Sequence, residues 1–300
     1  MARQNVGNWL AKFAATPVLA PYPGWVLGSG QSQDFAARFR KKIWQLGRHP
    51  FDVPWLEGLN LILCPGNETC RSIFVTGRFE PNEFSLLAKV LKPGMTFVDA
   101  GANIGLYTLF AARRVGEAGC VLALEPSFRE RQILAANLER NSLKNVKLHP
   151  NALSDQTAEV ELLVAAAGHS GHNTLGAFGY NTVLDHREKV RTVPLDEIVQ
   201  QEKLARVDVI KMDIEGAELA ALRGASRTLE RHRPMILLEL SDRALQHQNA
   251  SSREVLALLA QRGYQTYGFS AATGLPAALE PRAYFDSENI VAVHGDSLPW

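Results

Sequence analysis

From residue 95 onward, short apolar runs alternate with segments whose apolar residues recur at helical spacing. Residues 96–100, 120–124, 146–150, 207–212 and 235–240 read as buried strands. Helical periodicity fills residues 106–114, 128–141, 217–230 and 253–262. Further strands are expected over 160–164, 190–194, 265–269 and 289–294. Serial strand–helix units imply an α/β domain with a mostly parallel sheet covered by helices on both faces. An irregular loop joins the last two strands, which suits an antiparallel hairpin at the sheet edge.

Ahead of this region the pattern is less regular. Trp9, Leu10 and Phe13 make a short amphipathic face, and proline and glycine then interrupt it. Residues 34–46 predict a helix with Phe35, Phe39, Ile43 and Leu46 on one face. Arg38, Arg40, Lys41 and Lys42 around them read as a solvated face. Trp44, Phe51 and Trp55 add aromatic bulk without a core of their own. The segment is therefore expected to pack on the main domain or on a second copy, making a homodimer. Residues 59–63 and 72–76 read as two strands of a hairpin about Pro65-Gly66-Asn67. A helix over 82–91 ends at Lys92-Pro93-Gly94. The expected division is a helical appendage at 1–58, a hairpin and lead-in helix at 59–94, and the main domain at 95–300.

Composition narrows the partners. The chain has 300 residues, 46% of them apolar, enough for one large domain with an appendage. Lys+Arg number 32 and Asp+Glu 31, so no net field favours nucleic acid. Cys64, Cys70 and Cys120 lack metal-ligand spacing and read as reduced cytoplasmic thiols, with a Cys64–Cys70 bridge left open. The first 27 residues contain no continuous apolar core, and no stretch nears ~18 uninterrupted apolar residues, so neither a leader nor a membrane span is expected.

Candidate chemistry centres on Phe97-Val98-Asp99-Ala100-Gly101-Ala102-Asn103-Ile104-Gly105, a strand breaking into a glycine turn before a helix. Such turns cradle nucleotide-like ligands, helped by unpaired N–H groups at the helix start. Asp99, Glu125 and Asp155 fall near the ends of successive strands and should share one crevice. Glu125 lies about twenty residues past Gly105, where a carboxylate accepts both ribose hydroxyls. Residues 151–155 are placed to flank an adenine ring. A pyrophosphate-bearing dinucleotide wants G-x-G-x-x-G; here the turn reads Gly101-x-Asn103-x-Gly105 with Asp99 before it. That acid suits a cationic ligand, favouring S-adenosylmethionine over NAD(P). An NAD(P)-dependent oxidoreductase and a non-catalytic ligand- or partner-binding protein are the alternatives.

Together with Glu125-Pro126 and Ile210-Lys211-Met212-Asp213-Ile214-Glu215-Gly216-Ala217-Glu218, this turn resembles the FkbM family of S-adenosylmethionine-dependent methyltransferases. Phe79-Glu80-Pro81, Leu153-Ser154-Asp155 and Leu222-Arg223-Gly224-Ala225 support the likeness. The resemblance implies a seven-stranded Rossmann-like methyltransferase fold with an antiparallel last strand. It also implies methyl transfer to a hydroxyl of a small molecule, sugar or other secondary metabolite. By matching positions, Asp99, Gly101, Asn103, Gly105, Glu125 and Pro126 would hold the donor. Phe79 and Glu80 would close over its methionine end, and Ala152 and Leu153 would border the adenine.

A base that takes the acceptor's proton should contribute roughly 10²–10⁴-fold. Asp213 is the first candidate, with Glu215 beside it and Glu239 as an acceptor contact. These acids also offer oxygen ligands for Mg²⁺ or Ca²⁺. Lys211 is expected to pair with a nearby acid, and Glu218 to be held by the dipole of its helix. The glycine-rich loop 168–175 adds His169 and His172, which titrate near neutrality and are further base candidates, and Asn173 as an acceptor contact.

Overall fold

The computed structural model describes residues 31–77 and 79–295; the face expected from Trp9, Leu10 and Phe13, and the side chain of Phe35, lie outside the described residues. The chain begins with α1 (Gln31–Leu46), β1 (Phe51–Pro54), β2 (Asn60–Leu63), α2 (Glu68–Thr76) and α3 (Pro81–Val90). The repeating region follows as β3 (Thr96–Ala100), α4 (Leu106–Val115), β4 (Cys120–Leu124), α5 (Phe128–Arg140) and β5 (Val146–His149). Then come β6 (Ala152–Leu153), β7 (Ala158–Ala165), a 3₁₀ segment (Ala167–His172), β8 (Leu184–Val193) and α6 (Leu195–Gln201). The chain continues through β9 (Val209–Met212), α7 (Glu218–Arg223), α8 (Ser226–His232), β10 (Met235–Leu240) and α9 (Asp242–Gln246). It closes with α10 (Ser252–Gln261), β11 (Tyr264–Phe269), β12 (Pro276–Ala278) and β13 (Glu288–His294).

The main sheet has the order β5-β4-β3-β9-β10-β13-β11-β12. The first five strands run parallel, and β13 is antiparallel to both β10 and β11. Seven strands and an antiparallel last one were expected; β12 adds an eighth at the edge. The last strand pairs antiparallel with β11, as the tail suggested, and sits between β10 and β11. Ile290, Val291 and Ala292 are fully buried, and a strand apolar on both faces needs neighbours on both sides. A second sheet, β6-β8-β7, flanks the main one.

Alternation along the strands separates two cores. Phe97, Val121, Ala123 and Leu237 face a layer that includes α3, α4 and the appendage. Val98, Leu122, Ile210 and Leu238 face α6 through α10. The appendage joins the first core through rings: Trp44, Phe51 and Phe74 pack mutually at 5.5–6.1 Å between centroids. Trp55 packs on Phe84, which stacks on Tyr107 of α4 at 4.7 Å.

Three local expectations are corrected. Residues 72–76 belong to a helix, because Asn67 caps it by accepting the Cys70 N–H at 2.9 Å and Cys70, Ile73 and Phe74 are buried at helical spacing. β2 pairs instead with β1. The helix expected over 217–230 breaks in two at Gly224, where a Cβ would come within 2.0 Å of the Ser154 carbonyl oxygen. Arg40 leaves the solvated face: it is buried, and its guanidinium donates to the Val75 carbonyl at 3.2 Å. Cys64, Cys70 and Cys120 are free thiols. Among the described residues, no helix is long and apolar enough to cross a membrane.

Candidate active site

The carboxyl ends of β3, β4 and β9 open into a cavity of about 950 Å³, counting its solvent-open mouth. Gly101, Asn103, Glu125, Pro126, Ala152 and Leu153 line it, as do Phe79, Asn173, Asp213 and Glu215. Residues anticipated for donor and acceptor therefore share one space.

The glycine turn owes its shape to contacts only glycine permits. A Cβ on Gly101, at φ +76°, would lie 2.0 Å from the Asp213 carbonyl oxygen, and one on Gly105, at φ +98°, would lie 2.3 Å from Leu134. Every backbone N–H from residue 101 to 105 is engaged. Those of Gly101 and Ala102 reach the Leu124 carbonyl, and that of Gly105 reaches the Ala102 carbonyl. The Asn103 N–H donates to Glu125 Oε2 at 2.7 Å, and the Ile104 N–H to Asn103 Oδ1 at 2.8 Å. The turn itself therefore has no spare N–H group.

Glu125 is buried, and its Oε1 accepts the Ser127 N–H at 2.8 Å. Burial, and then the nearby Glu130, push its carboxyl up to about 8. Two backbone donors occupy part of its accepting capacity, because an ionised carboxylate has about four lone-pair sites. Asp99 departs from expectation. It lies behind the turn, wholly buried, and accepts the Thr108 hydroxyl at 2.5 Å. It is absent from the cavity wall. Its carboxyl is pushed up by burial and eased by Lys211. Gly105 likewise serves helix packing and does not line the cavity. Glu80, in left-handed backbone at φ +41°, sits beneath the wall and accepts Tyr107 Oη–H and Asn289 Nδ2–H.

Asp213, Glu215 and Glu239 converge at the cavity's other end, with one oxygen from each within 4.8 Å of the others. Glu239 accepts the Ser287 hydroxyl and stands behind the wall. Burial, followed by the charge of Asp213, raises both Glu215 and Glu239 well above the usual carboxylate range. Lys211 Nζ lies 3.2 Å from Asp213, 3.4 Å from the Gly101 carbonyl and 5.0 Å from the Tyr107 ring centroid. Burial opposes its charge, yet Asp213, Asp99 and Glu80 together keep its ammonium above the ordinary lysine range. Glu218 accepts the N–H groups of Ile214 and Gly216; burial brings its carboxyl to about 7.

The 168–175 loop forms part of the cavity wall as a hydrogen-bonded strap. Ser170, Gly171 and Asn173 line the cavity, whereas His169 and His172 do not. Burial lowers His172, whose ring stands edge-on to Tyr180 at 4.9 Å. Asn173 accepts the Ala165 N–H and donates to Glu130, so its polar atoms already hold the strap. Thr174 Oγ1 donates to the Glu215 carbonyl at 2.9 Å. Asp155 is exposed and outside the cavity. Thr69, Tyr107 and Ser170 line the cavity without having been singled out. For Thr69 the signal was Asn67 three residues before Cys70, an N-cap spacing; Tyr107 and Ser170 lay inside segments read only as helix and loop.

Strand order, glycine turn and an acid after the second parallel strand define a Rossmann-like methyltransferase fold. Residues 99–266 match the Methyltransferase FkbM domain, and the chain belongs to that family. A 238-residue stretch is 28% identical to the AMB antimetabolite synthetase AmbE of Pseudomonas aeruginosa, covering 64% of this chain and 11% of that protein. Methyltransferase sdnD of Sordaria araneosa is 33% identical over 153 residues, 42% of this chain and 59% of its own length. The chain thus spans less than two thirds of the length of these relatives. The solved FkbM methyltransferase of Methylobacillus flagellatus is 16% identical with a TM-score of 0.41, covering 87% of this chain and 60% of its own.

Proposed function

We propose that this protein is an S-adenosylmethionine-dependent O-methyltransferase acting on a hydroxyl of a small molecule, sugar or secondary metabolite. The observation that carries the donor is the saturated turn. With the N–H groups of residues 101–105 committed, the turn has none left for a pyrophosphate. Glu125 keeps accepting capacity toward the cavity, which suits ribose hydroxyls. Phe79, Ala152 and Leu153 supply apolar wall for the rest of the donor. When bound, the donor supplies an electrophilic methyl group on a sulfonium.

Asp213 would take the proton of the acceptor hydroxyl. Its side chain is 34% exposed and ion-paired to the buried Lys211, so it is reachable from the cavity and has a fixed counter-charge beside it. Glu215, raised well above the usual carboxylate range by burial and then by Asp213, lines the cavity and would contact the acceptor, with Glu239 backing it from behind the wall. The strap on the cavity wall would help keep water from the reacting atoms. The three acids also form an oxygen donor set suited to Mg²⁺ or Ca²⁺, but Lys211 already supplies counter-charge, and no step here uses a metal.

Titration calorimetry with S-adenosylhomocysteine and with NAD tests the reading. Binding of the first and not the second is expected; binding of NAD alone would sink it.

A further inference from the structure

Asn67 stands 32 residues ahead of the family-matched region, which begins at residue 99, yet it is tied to the donor wall by a continuous hydrogen-bond chain. It is buried, and both ends of its amide are used. Oδ1 accepts the Cys70 N–H at 2.9 Å, capping α2, and Nδ2 donates to Ser170 Oγ at 2.7 Å. Ser170 is 1% exposed, and its carbonyl accepts Asn103 Nδ2–H at 3.1 Å. Asn103 holds a left-handed backbone at φ +50° and aims its own N–H at Glu125. Ser170, Asn103 and Glu125 line the cavity, and so does Thr69, two residues past Asn67.

We propose that Asn67 and Ser170 are positioning residues for donor binding: they fix Asn103, whose N–H orients Glu125. The proposal rests on reading the cavity as the donor site. A non-glycine residue at positive φ is held by its surroundings. Here the Ser170 carbonyl, clamped through its own hydroxyl by Asn67, is part of what holds it. Loosening the clamp lets the Asn103 N–H drift from Glu125, and that bond is one of those that lower the Glu125 carboxyl against burial. Donor affinity and the pH at which Glu125 ionises should therefore move together.

The test uses the full chain, S-adenosylhomocysteine calorimetry from pH 6 to 9, and thermal melting. Ser170→Ala deletes one oxygen and leaves its backbone carbonyl. Asn67→Ser keeps a capping oxygen but is too short to reach Ser170. Each is expected to weaken binding roughly three- to tenfold and to shift the midpoint of the affinity–pH curve upward. Asn103→Gly keeps the left-handed turn without the side chain; adding Ser170→Ala to it should weaken binding no further. Wild-type affinity and an unmoved midpoint in Ser170→Ala and Asn67→Ser, with only a lowered melting temperature, would overturn the proposal and leave a structural latch. If the unaltered chain binds no S-adenosylhomocysteine, the donor reading itself fails and takes the proposal with it.

Discussion

Glu125 illustrates how one carboxyl group couples ligand, pH and fold. Because burial and Glu130 raise it to about 8, the ligand-free protein holds it protonated at neutral pH. Accepting two ribose hydroxyls, as proposed for the bound donor, would favour the ionised form. Affinity for S-adenosylhomocysteine should thus climb toward pH 8, by up to about tenfold per pH unit, and a flat calorimetric profile would contradict this. Asp213 makes a separate prediction. Asp213→Asn is expected to cut turnover by roughly 10²–10⁴-fold, while S-adenosylhomocysteine affinity changes by less than about threefold, since the proposed role of the residue is toward the acceptor. Turnover with a true acceptor near the unaltered rate would remove Asp213 as base. Glu125 was legible from its position after the second strand of a βαβ unit. Asp99 was legible as a residue of interest but not in its role, because sequence does not say on which side of a turn a side chain falls. It faces Thr108 and Lys211 inside the protein, an environment fixed by helix and strand contacts distant in sequence.

Among the elements, strands of the parallel sheet were legible because apolar runs buried on both faces leave a strong signal. The errors fell where local signals competed. Residues 72–76 carry Ile73, Phe74 and Val75, a run that favours a strand, but the Asn67 cap and the left-handed Gly77 at φ +71° impose a helix. The break between α7 and α8 has no local marker beyond Gly224. It depends on Asp196, at the start of α6, whose carboxylate accepts the N–H groups of Arg227 and Thr228 at 2.8 Å each and the Thr228 hydroxyl at 2.7 Å. This is N-capping of α8 from another element. Asp196→Ala should therefore cost about 1–2 kcal/mol in urea unfolding, more than a surface substitution. A change under about 0.5 kcal/mol would show that α8 is held by packing alone.

At the scale of the whole molecule, several acids are buried or half-buried with raised carboxyls: Glu80, Glu83, Asp99, Glu215 and Glu239, with Glu125 near 8 and Glu218 near 7. The folded chain keeps these protons at pH values where the unfolded chain has released them. Stability is then full below about pH 4.5 as far as these groups are concerned, and falls as pH rises toward about 8. Melting temperature without ligand should decline from pH 5 to 8; a rise over that range would contradict the burial of these groups. The same view bears on the appendage and the 59–94 segment that follows it. The family match begins at residue 99, as though the preceding segment were dispensable. Yet Thr69 and Phe79 line the cavity, and Leu61, Leu63, Ile73 and Phe74 share one core with Phe97 and Leu109. On α5, Asn137 accepts the Ile62 N–H at 2.8 Å and donates to the Ile104 carbonyl at 2.9 Å, stitching β2 to the glycine turn. A chain starting at residue 95 would expose the α4 face that Phe84 and Trp55 cover, an apolar surface of the kind that drives aggregation. It is expected to lose near-ultraviolet circular dichroism and S-adenosylhomocysteine binding together. Native affinity in that truncated chain would show that the donor site folds without the appendage, and that its aromatic rings serve another purpose.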